Sequence, residues 1–161
     1  MDLSRPERLG STGAAARREP CREPGAVCNP MEGRLSLAGI RVFVVEDEAL
    51  LLLSLLDMLE DMGCTVSSAQ GVDDALAKAA VISFDVALLD VSVGGRRIDP
   101  VADLLARRNL PFVFTSGYER EVLPVRFKDR PLLAKPYVSG ELQAALLRGL
   151  AWPEPDQPRA A

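Results

Sequence analysis

Residues 43–56 read FVVEDEALLLLSLL: an apolar stretch runs into three consecutive acids, Glu46, Asp47 and Glu48, then into a leucine-rich run, with no Lys or Arg nearby to neutralise them. Two unit charges about 4 Å apart repel by roughly 4 kcal/mol at an effective dielectric near 20, so such a cluster costs stability unless solvent or a cation relieves it. A bound cation is the chemistry this pattern raises; a solvated loop capping the next helix is the ordinary alternative. Other apolar runs also end in polar chemistry: DVALLD in Asp90, PFVFTSG in Thr115 and Ser116, and LLAK in Lys135. Taken singly, Asp90 reads as a turn residue, Ser116 before Gly117 as a turn hydroxyl and Lys135 as a solvated lysine. They acquire a joint meaning only if the elements that carry them end on the same edge.

The hydropathy pattern places them there. It predicts strands over 41–46, 64–69, 84–89, 111–116 and 131–134, and helices over 49–62, about 72–81, about 99–108 and 138–150, with an irregular stretch 117–130 in which Pro124 and Pro131 leave room for a short helix only. Alternation of strand and helix implies a parallel sheet covered by helices on both faces, and runs such as VFVV, VALL and FVF suit strands buried on both sides. Right-handed crossovers bring all carboxyl ends of such strands to one edge, where open α/β sheets bind ligands. Three acids, a hydroxyl and one lysine then converge. CTVSSAQG ends without comparable chemistry, as an edge strand would.

A chain of 161 residues with 48% hydrophobic and 26% charged residues is the size and composition of one globular domain. Its formal charge of −4 provides no basic field for nucleic acid, which is not expected as a partner. Cys21, Cys28 and Cys64 are odd in number, lack metal-ligand spacing and have no histidine to assist them, so reduced thiols are expected. The apolar run 49–59 is interrupted by Ser54 and Asp57 and is too short to span a bilayer, and residues 1–20 hold no apolar signal segment. A cytoplasmic protein without membrane contact is the expectation. Residues 1–37, rich in Arg, Pro, Gly and Ala, read as a disordered extension, with Met31 as a second candidate start; 38–151 form the folded domain, and 152–161, with three prolines, a disordered tail.

Over residues 40 to about 150 the ordered set VVEDE, LLDVSVGG, FTSGY and AKPY resembles the receiver domain of bacterial two-component response regulators, and PFVFTSGY is similar to the FATGUY subclass of stand-alone receivers. The resemblance implies a flavodoxin-like, doubly wound five-stranded parallel sheet of order 2-1-3-4-5 in a three-layer α/β/α sandwich. It implies phosphoryl transfer from the phosphohistidine of a histidine kinase or phosphotransferase protein to Asp90, with Ser116 as the hydroxyl, Thr115 standing where the subclass has Ala, and Lys135 as the partner of a phosphoryl oxygen. It further implies Mg²⁺ bound directly by Asp47 and Asp90, through water by Glu46 and by the backbone carbonyl of Ser92. Glu48 has no implied metal role and is expected to help cap the following helix. The Lys135–Pro136 peptide is often cis in the family.

Two departures bear on signalling. Leu132 stands where many receivers have a switching Tyr or Phe, and no output domain is expected after the last helix, so a downstream protein, not identified by sequence, would be reached by protein contacts. A marginally ordered 117–130 segment, with Tyr118 moving on phosphorylation, is the expected substitute switch, and surplus leucines around Leu50 and Leu51 are candidates for partner docking. A receiver fold that binds proteins without phosphorylation is the alternative reading. An aspartate-nucleophile phosphohydrolase is disfavoured, because Ser92 occupies the position of the second aspartate those enzymes usually carry. VSVGGRR lacks the lysine and spacing of a phosphate-binding loop. Catalysis beyond self-phosphorylation and hydrolysis of the aspartyl phosphate is not expected.

Overall fold

A computed structural model describes residues 36–117 and 123–152. Its elements alternate as β1 (Arg41–Val45), α1 (Ala49–Asp61), β2 (Thr65–Ala69), α2 (Val72–Val81), β3 (Val86–Asp90), a hairpin of β4 (Ser92–Val93) and β5 (Arg96–Arg97), α3 (Asp99–Arg107), β6 (Phe112–Ser116), β7 (Leu132–Ala134) and α4 (Ser139–Leu150). The five longer-range strands form one parallel sheet in the order β2-β1-β3-β6-β7. This is the predicted 2-1-3-4-5 order once the hairpin strands are set aside.

Alternation along each strand divides the core between the two faces of the sheet. Phe43, Val45, Ala87, Leu89, Phe112 and Phe114 face α2 and α3, while Val42, Val44, Val86, Leu88 and Val113 face α1 and α4. Helices thus cover both faces, which is why β1, β3 and β6 read as nearly unbroken apolar runs. At the edge opposite the strand ends, the Asp85 carboxylate accepts bonds from the Arg41 backbone N–H and guanidinium at 2.8–3.1 Å, joining the starts of β1 and β3. The packed region begins slightly before the predicted boundary at 38: Leu37 is buried against the α1 face, and its carbonyl accepts the Cys64 thiol. Cys64 is a buried free thiol whose pKa burial pushes up. Cys21, Cys28, Met31 and residues 153–161 lie outside the described residues.

The segment after β6 is better anchored than its sequence suggests. Residues 123–130 contain one 3-10 turn, Val125–Phe127, as the prolines require, but Leu123 and Phe127 are buried. Phe127 meets Phe112 edge-on at 5.5 Å and Phe114 at 5.8 Å, Arg126 makes a two-point contact with Asp103 of α3, and the Arg130 guanidinium lies 4.3 Å from the Phe112 ring centroid. One aromatic side chain therefore replaces a helical face. For 123–130 the buried Leu123 and Phe127 stand against the weak packing that the prolines suggest, while Tyr118 lies outside the described residues. Phe127→Ala should destabilise the fold by about 3–5 kcal/mol, as aromatic truncation in a core does. Urea unfolding checks this, and a cost below about 1 kcal/mol, the range of surface substitutions, would show that the segment contributes little.

Candidate functional site at the strand ends

Strand pairing brings the polar residues together. β1 ends at Val45, so Glu46 and Asp47 leave the sheet beside β3, whose last residue is Asp90. Ser116 closes β6, and its carbonyl accepts the Lys135 N–H at 2.8 Å, which fixes Lys135 just past β7. The Lys135–Pro136 peptide is cis. The Lys135 ammonium lies 2.5 Å from Asp90 Oδ2 and 2.8 Å from Glu46 Oε2. Glu46 is 2% exposed, while Asp47 reaches solvent and Asp90 is intermediate. Carboxylate oxygens of Glu46, Asp47 and Asp90 lie within 4.8 Å of one another.

Backbone donors orient each acid. Asp90 Oδ1 accepts the Ser92 N–H at 3.1 Å, Asp47 Oδ2 the Gly94 N–H at 2.8 Å, and Glu46 Oε1 the Glu48 N–H at 3.1 Å. Glu48 occupies the N-cap position of α1 but makes no side-chain capping bond, so the expected capping role is corrected: Glu48 contributes its backbone N–H to Glu46 instead. Its neighbour's second oxygen already binds Lys135.

The electrostatics follow from burial. Loss of solvent outweighs the Lys135 contact and the Glu48 N–H at Glu46, so its pKa rises above the ordinary carboxylate range. At Lys135 burial works to lower the pKa, but hydrogen bonds and charge from Asp90 and Glu46 prevail and hold it above the usual lysine value. Burial, followed by the charges of Glu46 and Asp90, also raises the Tyr137 phenol, whose hydroxyl is buried without a hydrogen-bond partner among the described residues.

One ammonium faces three carboxylates, and the outermost acid is open to solvent. Such a set of hard oxygen donors with excess negative charge fits a hard cation, and the cluster can hold a metal ion. Beside it, Asp90, Ser92, Ser116 and Lys135 line a common cleft; Thr115, although buried in register with Asp90, is not among its lining residues. Arg97 also lines this cleft and was not anticipated. Its signal was present in SVGGRR: two glycines between short runs mark a tight hairpin, and Gly94 and Gly95 have φ of 58° and 73°, the left-handed values such a turn needs. The other end of the family pattern is also as read, since Leu132 is half-buried on the sheet with no aromatic side chain at that position.

No protein-family model and no curated protein matches the sequence. Solved structures do. SdrG from Sphingomonas melonis Fr1 is 37% identical, with 70% of this chain matched to 97% of SdrG at a TM-score of 0.63; its BeF3-activated conformation matches at 37% identity, over 70% of this chain and 98% of that one, with a TM-score of 0.61. The response regulator PhyR from Brucella abortus is 26% identical over 71% of this chain, which spans 49% of PhyR, at a TM-score of 0.61. The PhyR response regulator REC domain of Erythrobacter litoralis, at 24% identity over 78% of this chain and 98% of that domain, shares the fold at a TM-score of 0.63. A likeness that runs over nearly the whole of SdrG at this identity, with the fold shared by a REC domain, means that the chain belongs to the receiver domains of response regulators.

Proposed function

We propose that this receiver accepts a phosphoryl group on Asp90 from the phosphohistidine of a histidine kinase or phosphotransferase protein in the cytoplasm, and passes the signal on by protein–protein contacts. The observation that carries the reading is the convergence of Asp90 with Glu46, Asp47 and Lys135 at one sheet edge. An Asp90 carboxylate oxygen attacks phosphorus, the P–N bond to the donor imidazole breaks, and the imidazole leaves with that electron pair, giving an aspartyl phosphate. Asp47 and Asp90, Glu46 through water and the Ser92 carbonyl would hold Mg²⁺, which would supply positive charge to the phosphoryl oxygens. The Lys135 ammonium, now shared between Asp90 and Glu46, turns toward a phosphoryl oxygen while Glu46 retains its contact, and the Ser116 hydroxyl donates to another. No separate substrate is turned over; hydrolysis of the aspartyl phosphate resets the site. The donor protein docks over α1, where Leu50 and Leu53 are exposed and Leu51 is half-buried.

Incubation with acetyl phosphate and Mg²⁺ followed by intact mass measurement tests the proposal. One added phosphoryl group is expected, and an unchanged mass would reject it in favour of phosphorylation-independent binding. The cation has its own test. At roughly 100 times its dissociation constant, Mg²⁺ should stabilise the wild type by about 2.7 kcal/mol, and Asp47→Ala should lose most of that gain, with Glu46→Ala losing less. Equal Mg²⁺-dependent melting shifts in wild type and Asp47→Ala would remove Asp47 from the ligand set.

A further inference from the structure

Arg97 lies in the wall of the Asp90 cleft on a backbone tied at several points. The β4–β5 pairing sets Arg97 opposite Ser92, whose N–H bonds Asp90 Oδ1. Val93 and Ile98 on either side of the turn are 1% and 0% exposed, and the Ile98 N–H closes the loop onto the Val91 carbonyl at 3.1 Å. The Gly94 N–H ties the turn to Asp47. The guanidinium pairs with Asp99, which accepts from Nε at 3.0 Å and from Nη2 at 3.3 Å, with the Arg97 side chain 50% exposed. A second cation is thus built into the same cleft as Lys135, on the hairpin side.

We propose that Arg97 is a second anion-binding residue of the phosphoacceptor site, exchanging its Asp99 partner for a phosphoryl oxygen when Asp90 is phosphorylated. The inference rests on the phosphoacceptor reading above and extends it to a residue outside the predicted set. Phosphorylation turns one carboxylate into a group carrying about −1.5 to −2 charge and three strong acceptor oxygens. Lys135 is a single ammonium already shared by two acids. A guanidinium fork is suited to a phosphoryl group, and a phosphoryl dianion outcompetes a singly charged, partly solvated carboxylate for it. Asp99 then acts as the rest position of the side chain and opposes binding slightly.

Opposite signs from the two substitutions test this. Mg²⁺-saturated protein is titrated with beryllofluoride, a mimic of the phosphoryl group, by calorimetry. Arg97→Gln should bind about tenfold more weakly than wild type, the loss of one charge-assisted hydrogen bond. Asp99→Asn, which removes one carboxylate that competes for the guanidinium, should bind more tightly. Titration with Mg²⁺ alone should give Arg97→Gln an affinity equal to or above that of wild type, since a like charge has been removed from the cation's surroundings. Unchanged beryllofluoride affinity in Arg97→Gln, or a parallel loss of Mg²⁺ affinity, would overturn the role of Arg97 while leaving Asp90 as acceptor. Failure of the wild type to bind beryllofluoride would overturn the phosphoacceptor reading and this inference together.

Discussion

Asp90→Asn should abolish labelling by acetyl phosphate and Mg²⁺ while the wild type takes up one phosphoryl group. The amide has no anionic oxygen to attack phosphorus, and no other carboxylate of the site has the same surroundings: Glu46 is buried behind Lys135, and Asp47 Oδ2 is held by the Gly94 N–H. The loss should come without a loss of stability. Three carboxylates face one ammonium in this site, so removing one charge relieves repulsion, and Lys135 keeps its 2.8 Å contact with Glu46. Intact mass and the urea midpoint are the two readouts. Stoichiometric labelling of Asp90→Asn would mean that the acceptor is another residue.

Within the site, the largest stability effect should come from the other sign of charge. Lys135→Met removes the cation that pairs with both Glu46 and Asp90 and leaves a carboxylate of 2% side-chain exposure without that partner. Breaking a fully buried pair in this way costs about 3–5 kcal/mol; with Lys135 itself at 19% exposure, about 2–4 kcal/mol is expected at neutral pH. The defect should shrink on acidification. Glu46 in the folded protein already has a raised pKa from burial, and loss of the ammonium raises it further. A carboxylate with a folded pKa above its unfolded one binds protons better in the folded state, so its penalty is absent below the ordinary carboxylate range and grows as pH rises through the folded value. Mg²⁺ should recover part of the loss by supplying positive charge to the same oxygens. Equal urea midpoints for wild type and Lys135→Met at neutral pH would show that the ion pair contributes nothing to the fold.

What could be read in the sequence was whatever period and strand order determine. The five strands, four main helices and the shared edge follow from apolar runs of the right length separated by helical patterns, and the structure places their ends within a residue or two of the prediction. Asp90 and Lys135 were legible because each terminates such a run, whereas Ser116 was told from Thr115 by the resemblance to the receiver pattern. Interactions that depend on tertiary neighbours were not. Phe127 looked like part of a weak segment because its helix propensity is poor, yet its ring fills space beside Phe112 and Phe114. Glu48 has the composition of a cap, but the geometry turns its backbone, not its carboxylate, to use. Arg97 was hidden because the two-residue strands around Gly94 and Gly95 are too short to show a period.

That short hairpin also limits how the chain can vary in length. Side chains alternate across a strand, so one residue inserted into or deleted from the turn shifts the pairing by one and sends the side chain after it to the opposite face. Here such a change would carry the Arg97 guanidinium out of the cleft and break the bond from the Gly94 N–H to Asp47 in the same event, although neither functional residue had been altered. Length between Asp90 and α3 is therefore as tightly constrained as composition, in a stretch whose exposed glycines and arginines would otherwise make it look like the easiest place in the domain to accommodate an insertion.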